Sequence, residues 1–408
     1  MFTIAHKDGS SIAPLLLQSV ILSLLCILAL SACATNAGIF AGGMWQASGL
    51  PHAQIRVLTI DTNNPQSLYA GDEQGRVLAS TDGGLHWSDH STGLSLPNAV
   101  YELSFDATGK KLFAATANGL FVSIDAAQHW SAVGEKAKGL TSHMFTALAF
   151  DLNAPHTIYV AAQHGVFMST DDGTTWSSIS TGIATNATIN SLTFDTDHHR
   201  LWAATSLGVY RSDNRGASWQ ALNDGIPANI DIYTIQPASI SGGTPGLIFA
   251  GTSQGFLRST DTGAHWAESL QSLAKTQVHA VFVDFRTPTT VYVGTAVGVL
   301  RSNDSGQNWS SIASGLPRDH PIYAIELGGT DYTQLLAAAD DIYLFPGTSG
   351  GFSFTRFLPI VLIVLLFLVF YRFTRRNRRS KSAMLKPERI VVPPEQKAAD
   401  EPKSNHLT

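Results

Sequence analysis

Cysteine is nearly missing from this chain of 408 residues. The only two, Cys26 and Cys33, both lie in an apolar stretch near the N-terminus. The body therefore holds no disulfide, and its stability must come from a core rather than from staples. Charge is also scarce, at 14% Asp, Glu, Lys and Arg, while glycine is frequent at 35 residues. That balance disfavours long exposed helices and suits many short strands joined by tight turns. Positive charge is what the body lacks most. Before Arg372 there are 16 Lys and Arg against 27 Asp and Glu, a net of -11; from Arg372 onward there are ten against four. An acidic body excludes nucleic acid as its partner. No phosphate-binding loop, metal-ligand cluster or nucleophile elbow is visible, so no cofactor or metal is expected.

Two long apolar runs lie near the ends. Ile12 to Ala32 carries no charge and is rich in Leu, Ile and Ala, the pattern of an export signal or signal anchor. It ends in Leu30-Ser31-Ala32-Cys33, which resembles a bacterial lipoprotein box. The resemblance implies diacylglycerol on the Cys33 thiol and cleavage just before it. An uncleaved anchor and ordinary cleavage nearby are the other readings, and all three place the body outside the cytoplasm. Phe357 to Tyr371 is the second run. It gives roughly 22 Å of helix, slightly short of a bilayer core. Arg356 and Arg372 can snorkel from its ends. Arg372, Arg375, Arg376, Arg378, Arg379 and Lys381 follow it, which marks a cytoplasmic side and disfavours a buried core helix. A cell-wall sorting signal is a third reading, on the loose motif at Phe345-Pro346-Gly347-Thr348-Ser349.

A repeat fills the space between. Six segments align without gaps on the pattern S-x-D-x-G-x-x-W. Their acid (or amide) and tryptophan are Asp82 and Trp87, Asp125 and Trp130, Asp171 and Trp176, Asn214 and Trp219, Asp261 and Trp266, and Asp304 and Trp309. The tryptophans are 43, 46, 43, 47 and 43 residues apart. A period in the forties with several strands per unit is the signature of a propeller. The carboxylate can accept backbone N–H bonds inside a hairpin turn, and glycine takes a backbone shape that other residues resist. Ala127 and Asn214 depart from the pattern, so looser second and fourth turns are expected. His86, His129 and His265 precede three of the tryptophans and read as hairpin surface, not metal ligands.

Each unit reads as four strands. First strands fall near Ile55, Val100, Phe145, Ile189, Ile232, Val278 and Ile322, which makes seven units against six boxes. The seventh unit stops at Ile342-Tyr-Leu-Phe345 without a fourth strand. An unmatched one stands at the other end, Trp45-Gln-Ala-Ser48. The N-terminal strand is therefore expected to complete the last blade, pairing both open edges. The fold class is all-β, a single seven-bladed propeller closed by its N-terminal strand. The chain divides into a signal or anchor (1–33), a linker (34–44), the propeller (45–346), a second linker (347–355), a transmembrane helix (356–373) and a basic, disordered cytoplasmic tail (374–408).

The eight-residue pattern resembles the Asp box of the BNR-repeat families. With the Gly-Leu-Pro turns and the segments Asp61–Tyr69 and Asp151–Tyr159, residues 45 to 345 resemble three groups. These are the photosystem II stability and assembly factor family, the xyloglucanases and the sortilin-type receptor propellers. A single propeller on a membrane is most like the first, which implies a non-enzymatic, chaperone-like role; the xyloglucanases are built of two propellers. Sialidases carry the box too, but need an arginine triad with a Tyr-Glu pair. Here Arg211, Arg258 and Arg301 hold one equivalent position in successive units, which marks scaffold.

Function is sought where the repeat is broken. Two residues before the central apolar residue of each first strand stand Arg56, Tyr101, Thr146, Asn190, Tyr233, His279 and Tyr323. These are expected round the mouth of the channel, as a rim for peptide or glycan; filling of gaps between blades is the alternative role for them. Asp61, Asp106, Asp151, Asp195 and Asp284 recur at one strand end and read as structural. Glu102, Asp231, Asp319 and Glu326 do not recur, and no motif surrounds them. The resulting expectation is a non-catalytic, membrane-anchored extracytoplasmic scaffold or assembly factor that binds protein or surface polysaccharide. A sialidase-like or xyloglucanase-like hydrolase, or a glycan-binding protein, is the alternative.

Overall fold

Short apolar runs broken every few residues by Gly, Asn and Asp are too brief for helices and suit strands. In the computed structural model, described for residues 44–50, 53–133, 138–195, 198–238, 244–268 and 275–345, these runs form 28 strands. No helix among the described residues is long and apolar enough to cross a membrane. The signal or anchor with Cys33, the apolar run 357–371 and the basic tail lie outside the described residues.

The strands pair as seven four-stranded antiparallel sheets. Blade 1 consists of β2 (Ile55–Ile60), β3 (Leu68–Asp72), β4 (Val77–Ser80) and β5 (Ser88–Asp89); blade 2 of β6 (Val100–Phe105), β7 (Leu112–Thr116), β8 (Gly119–Ser123) and β9 (Ser131–Val133). The innermost strands of the next five blades are β10 (Phe145–Phe150), β14 (Ile189–Asp195), β18 (Ile232–Pro237), β22 (Val278–Val283) and β26 (Ala324–Gly328). Each innermost strand touches the next in chain order, and β26 touches β2, so the ring closes. Second strands such as Leu68–Asp72 and Ile158–Ala162 are buried along their whole length, because neighbouring blades cover both faces. That explains their unbroken apolar composition. The two-residue fourth strands at Ser88–Asp89 and Ser177–Ser178 are exposed at the rim.

Blade 7 is finished by the N-terminus, as expected. β1 (Gln46–Ala47) pairs antiparallel with β28 (Ile342–Phe345), Gln46 opposite Leu344 and Ala47 opposite Tyr343. Trp45 is 3% exposed and packs on Phe345, with ring centroids 5.1 Å apart. The Asp341 carboxylate accepts bonds from the Ser48 hydroxyl at 2.8 Å and from the Gly49 and Leu50 amides at 3.1 Å. One buried acid thus latches the first strand of the propeller to its last.

The Asp boxes are self-contained turns. In the first, Asp82 accepts from the amides of Leu85 and His86, while the Ser80 hydroxyl accepts from Gly84 N at 2.9 Å and donates to Asp82. The second and fourth turns are not looser, contrary to the sequence expectation. Ala127 N still donates to Ser123 Oγ at 2.9 Å, with Ala127 held at φ 64° where the other boxes have glycine. Asn214 accepts from Ser218 N at 2.9 Å as an aspartate would, because its amide oxygen presents the same acceptor. Burial of Ala127 and an intact hydrogen-bond frame outweigh its left-handed strain. Four of the boxes also bond to the turn between the first two strands of their blade, as Gly83 N does to Gln66 O at 2.9 Å. The boxes therefore lie at the end of the blades where the innermost strands finish, away from the residues at which those strands begin.

Candidate functional site

The seven non-repeating residues do gather where the innermost strands begin, and the reason is a backbone device. In six blades the pairing of first and second strands slips by one residue. Ile55 and Val57 pair with Asp72 and Gly71, which leaves Arg56 unpaired between them. The same bulge isolates Tyr101, Thr146, Asn190, Tyr233 and His279. Tyr323 comes just before β26 and has no strand partner of that kind. A bulge breaks the pleat and re-aims the side chain of its extra residue. The slip has a trace in the sequence. Buried apolar residues run Ile55, Leu58, Ile60 and Val100, Leu103, so a step of three replaces one step of two where the bulge falls.

Round the ring these residues make two unlike arcs. From blade 5 to blade 1 they form a contact chain. Tyr233 stacks on His279 at 4.9 Å, His279 meets Tyr323 at 5.1 Å, and the Arg56 guanidinium lies 4.5 Å from the Tyr323 ring centre. Arg56 also pairs with Glu73. Burial, and then the charge of Arg56, hold the His279 imidazole down at about 4, so it is neutral at pH 7. Burial, then Asp231 and Tyr323, push the Tyr233 hydroxyl up. On the other arc Thr146 Oγ1 donates to Ile189 O at 2.7 Å and Asn190 Nδ2 to Ile232 O at 2.8 Å. Each ties its blade to the innermost strand of the next.

The repeated charged residues are scaffold. Arg211 donates to Thr262 O at 2.8 Å and Arg258 to Ser305 O at 2.9 Å, each reaching the Asp box of the following blade. Arg211 lies over Trp202 and Arg301 over Tyr292, the same pairing one strand apart. Asp61, Asp151 and Asp284 accept amide bonds inside their own turns. His86, His129 and His265 are exposed, and each places Nδ1 within 2.7 Å of its own Asp-box carboxylate. The amide and then the imidazole of His265 hold Asp261 down at about 2. Among the described residues no cluster of His, Cys, Asp and Glu could hold a metal.

Four non-recurring acids remain. Asp231 and Asp319 are exposed. Glu102 and Glu326 are on innermost strands, where burial pushes their carboxyls up to about 8 and about 7, the latter against a hydrogen bond from Leu327 N. Their neighbours belong to different interfaces between blades. Glu102 pairs across its sheet with Ala115, which belongs to the core between blades 2 and 3. The neighbouring Ala324 assigns the side of Glu326 to the core between blades 7 and 1. Neither acid contributes to the shift of the other.

No family model matches the sequence, and no curated protein matches it. Solved structures do resemble the fold. YCF48 from Cyanidioschyzon merolae is 16% identical and superposes with a TM-score of 0.59 over 76% of this chain and 100% of its own. YCF48 has also been solved bound to D1 peptide, and that structure superposes with a TM-score of 0.60. The GH74 xyloglucanase from Xanthomonas campestris is 14% identical, with a TM-score of 0.60 over 76% of this chain and 55% of that one. The extracellular domain of a two-component system from Bacteroides thetaiotaomicron is 14% identical, with a TM-score of 0.58 over 74% of this chain. The chain spans 39% of that domain's length. Both the photosystem II assembly factor likeness and the xyloglucanase likeness read from the repeat thus recur in three dimensions, and at these identities they show the fold alone.

Proposed function

We propose that this chain is a non-catalytic, membrane-anchored extracytoplasmic propeller, which holds an extended segment of a protein partner at the bulge ring and serves as a scaffold or assembly factor. The observation that carries this reading is the contrast between the two ends of the blades. Repeated side chains at the Asp-box end are used up in the fold, whereas seven unrepeated ones gather at the other, six of them on bulges. The YCF48 structure with a bound peptide, on a fold of this kind and nearly equal extent, supports a protein partner. A glycosidase needs two carboxyls roughly 5–9.5 Å apart. Glu102 and Glu326 belong to different interfaces between blades, which favours the non-catalytic reading over a hydrolase.

The test is to purify the tagged full-length protein in detergent from its own membranes and to identify what accompanies it. Stoichiometric subunits of a membrane complex support the scaffold role and name the client. Tyr101→Ala with Tyr323→Ala should reduce client recovery at least tenfold, about 1.4 kcal/mol; unchanged recovery defeats the ring as the binding site. Release of oligosaccharides from xyloglucan by the wild-type protein, abolished by Glu102→Gln or Glu326→Gln, would instead establish the hydrolase.

A further inference from the structure

We propose that blade 2 supplies the point of recognition on the ring: Tyr101 and Glu102 together take a basic side chain, Lys or Arg, from the partner segment. This rests on the peptide-binding reading above and names what the site selects. Six of the seven ring residues are already engaged within the protein. Arg56 is held by Glu73 and Tyr323, Tyr233 and Tyr323 by His279, and Thr146 and Asn190 by carbonyls of the next blade. The Tyr101 side chain has no hydrogen bond, ring contact or ion pair with any described residue, and it is partly exposed. Its neighbour Glu102 is equally without a partner among the described residues.

The position of Glu102 is exceptional within the repeat. Val57, Ala147, Ser191, Thr234, Ala280 and Ala324 fill the same place in the other blades, so an acid here is not demanded by the fold. It stands on the side of the sheet occupied by Ala115, Phe145 and Leu148, with only part of its surface reaching solvent. Of the strands packed against β6, β7 and β10 carry no ionisable residue. β2 contributes Arg56, held by Glu73, and β3 contributes Asp72, bonded to Arg76 at 2.6 Å, together with Tyr69. A carboxyl without a countercharge, adjoining in the chain an aromatic residue re-aimed by the bulge, is suited to an ammonium or guanidinium. The ring face attracts the cation, and the carboxylate gives it a charge-assisted hydrogen bond, stronger where water is partly excluded. The net charge of -11 before Arg372 draws basic segments toward the propeller.

Burial leaves Glu102 largely protonated at neutral pH in the free protein. Capture of a cation then expels that proton, so preference for basic residues rises from pH 6 to pH 9. The probe is a displayed library of random 12-residue peptides, selected on the detergent-solubilised full-length protein and on its Glu102→Gln, Tyr101→Ala and Glu326→Gln variants. Wild type should enrich Lys or Arg at one position about tenfold over its input frequency, more strongly at pH 9 than at pH 6. Glu102→Gln should abolish that enrichment at both pH values while still retaining peptides, Tyr101→Ala should weaken it, and Glu326→Gln should leave it unchanged. Retention of peptides without basic enrichment, or a Glu102→Gln variant that keeps it, overturns this inference and leaves peptide binding standing. Failure of wild type to retain any peptide overturns both.

Discussion

The seam between blades 6 and 7 and the seam between blades 7 and 1 flank the same blade, and they are closed differently. At the first, Trp45 N donates to Ser314 O at 3.0 Å and its indole donates to Ile312 O at 2.6 Å. The backbone bond recurs at Trp130, Trp176, Trp219 and Trp266, each to the residue before the Gly of the preceding turn. At the second seam Trp87 makes no such bond to Ser48. Its indole bonds to Gly84 O of its own box, as the indole of Trp176 does to Gly173 O, but Trp87 is only half-buried. Chain length explains the difference. Nine to twelve residues lead from one blade to the next elsewhere, as at 269–277, 90–99 and 312–323, but only seven (48–54) lead from β1 to β2. The shorter link cannot wrap the rim tryptophan. Blade 7 is joined to the ring's beginning by the Asp341 latch, by bonds from Ala53 N to Asp340 O and from Ile55 N to Ala339 O, and by a shared apolar core.

The largest effect should therefore come from the latch. Asp341→Ala removes the acceptor for Ser48, Gly49 and Leu50, and loss of hydrogen bonds to a buried charged group should cost about 3 kcal/mol or more. Urea unfolding checks this, and a loss below about 1 kcal/mol would mean that Trp45 packing alone secures the closure.

Two glycines sharpen the contrast between seams. A Cβ on Gly139 would lie 2.0 Å from Trp176 O, at φ 91°, whereas one on Gly49, at φ 86°, would meet nothing within 4 Å. Gly139→Ala should cost about 2–3 kcal/mol from overlap plus left-handed strain. Gly49→Ala should cost only the strain, roughly 1 kcal/mol. Equal losses of thermal stability would show that the last seam is as tight as the others.

The smallest effect concerns the inner wall, where Glu326 stands by the last seam and Glu102 by the seam of blades 2 and 3. Both carboxyls are raised from the ordinary 4.5 by burial. Their neutral forms favour the folded state fully below that value, and this contribution is lost as pH rises through about 7 for Glu326 and about 8 for Glu102. Partial exposure screens each charge, which leaves roughly 1 kcal/mol per acid. Glu102→Gln with Glu326→Gln should flatten the fall of melting temperature between pH 5 and pH 9. An unchanged slope would assign it to other groups.

Much of this was legible beforehand. Six Asp boxes and seven first strands gave the blade count, and the orphan strand at Trp45 gave the closure, because each rests on local pattern and on edges that must pair. The ring positions were legible too, as places where the repeat breaks. Their engagement was not. Nothing near Thr146 or Asn190 marks a bond to a carbonyl 43 or 42 residues on. Nor does anything near Asp341 mark a bond to Ser48, 293 residues earlier. The supposed looseness of the turns at Ala127 and Asn214 was misjudged for a related reason: the pattern shows which residue departs, not whether its neighbours keep the same hydrogen bonds.

By itself, then, the sequence determined the strands, their number and the turns between them. Those follow from apolar periodicity and from side chains that bond within a few residues of themselves. The tertiary structure alone decided which mouth residues are used up between blades and which are left free, which acids are isolated, and how each seam is closed. Each of those depends on a neighbour that only ring closure brings within reach.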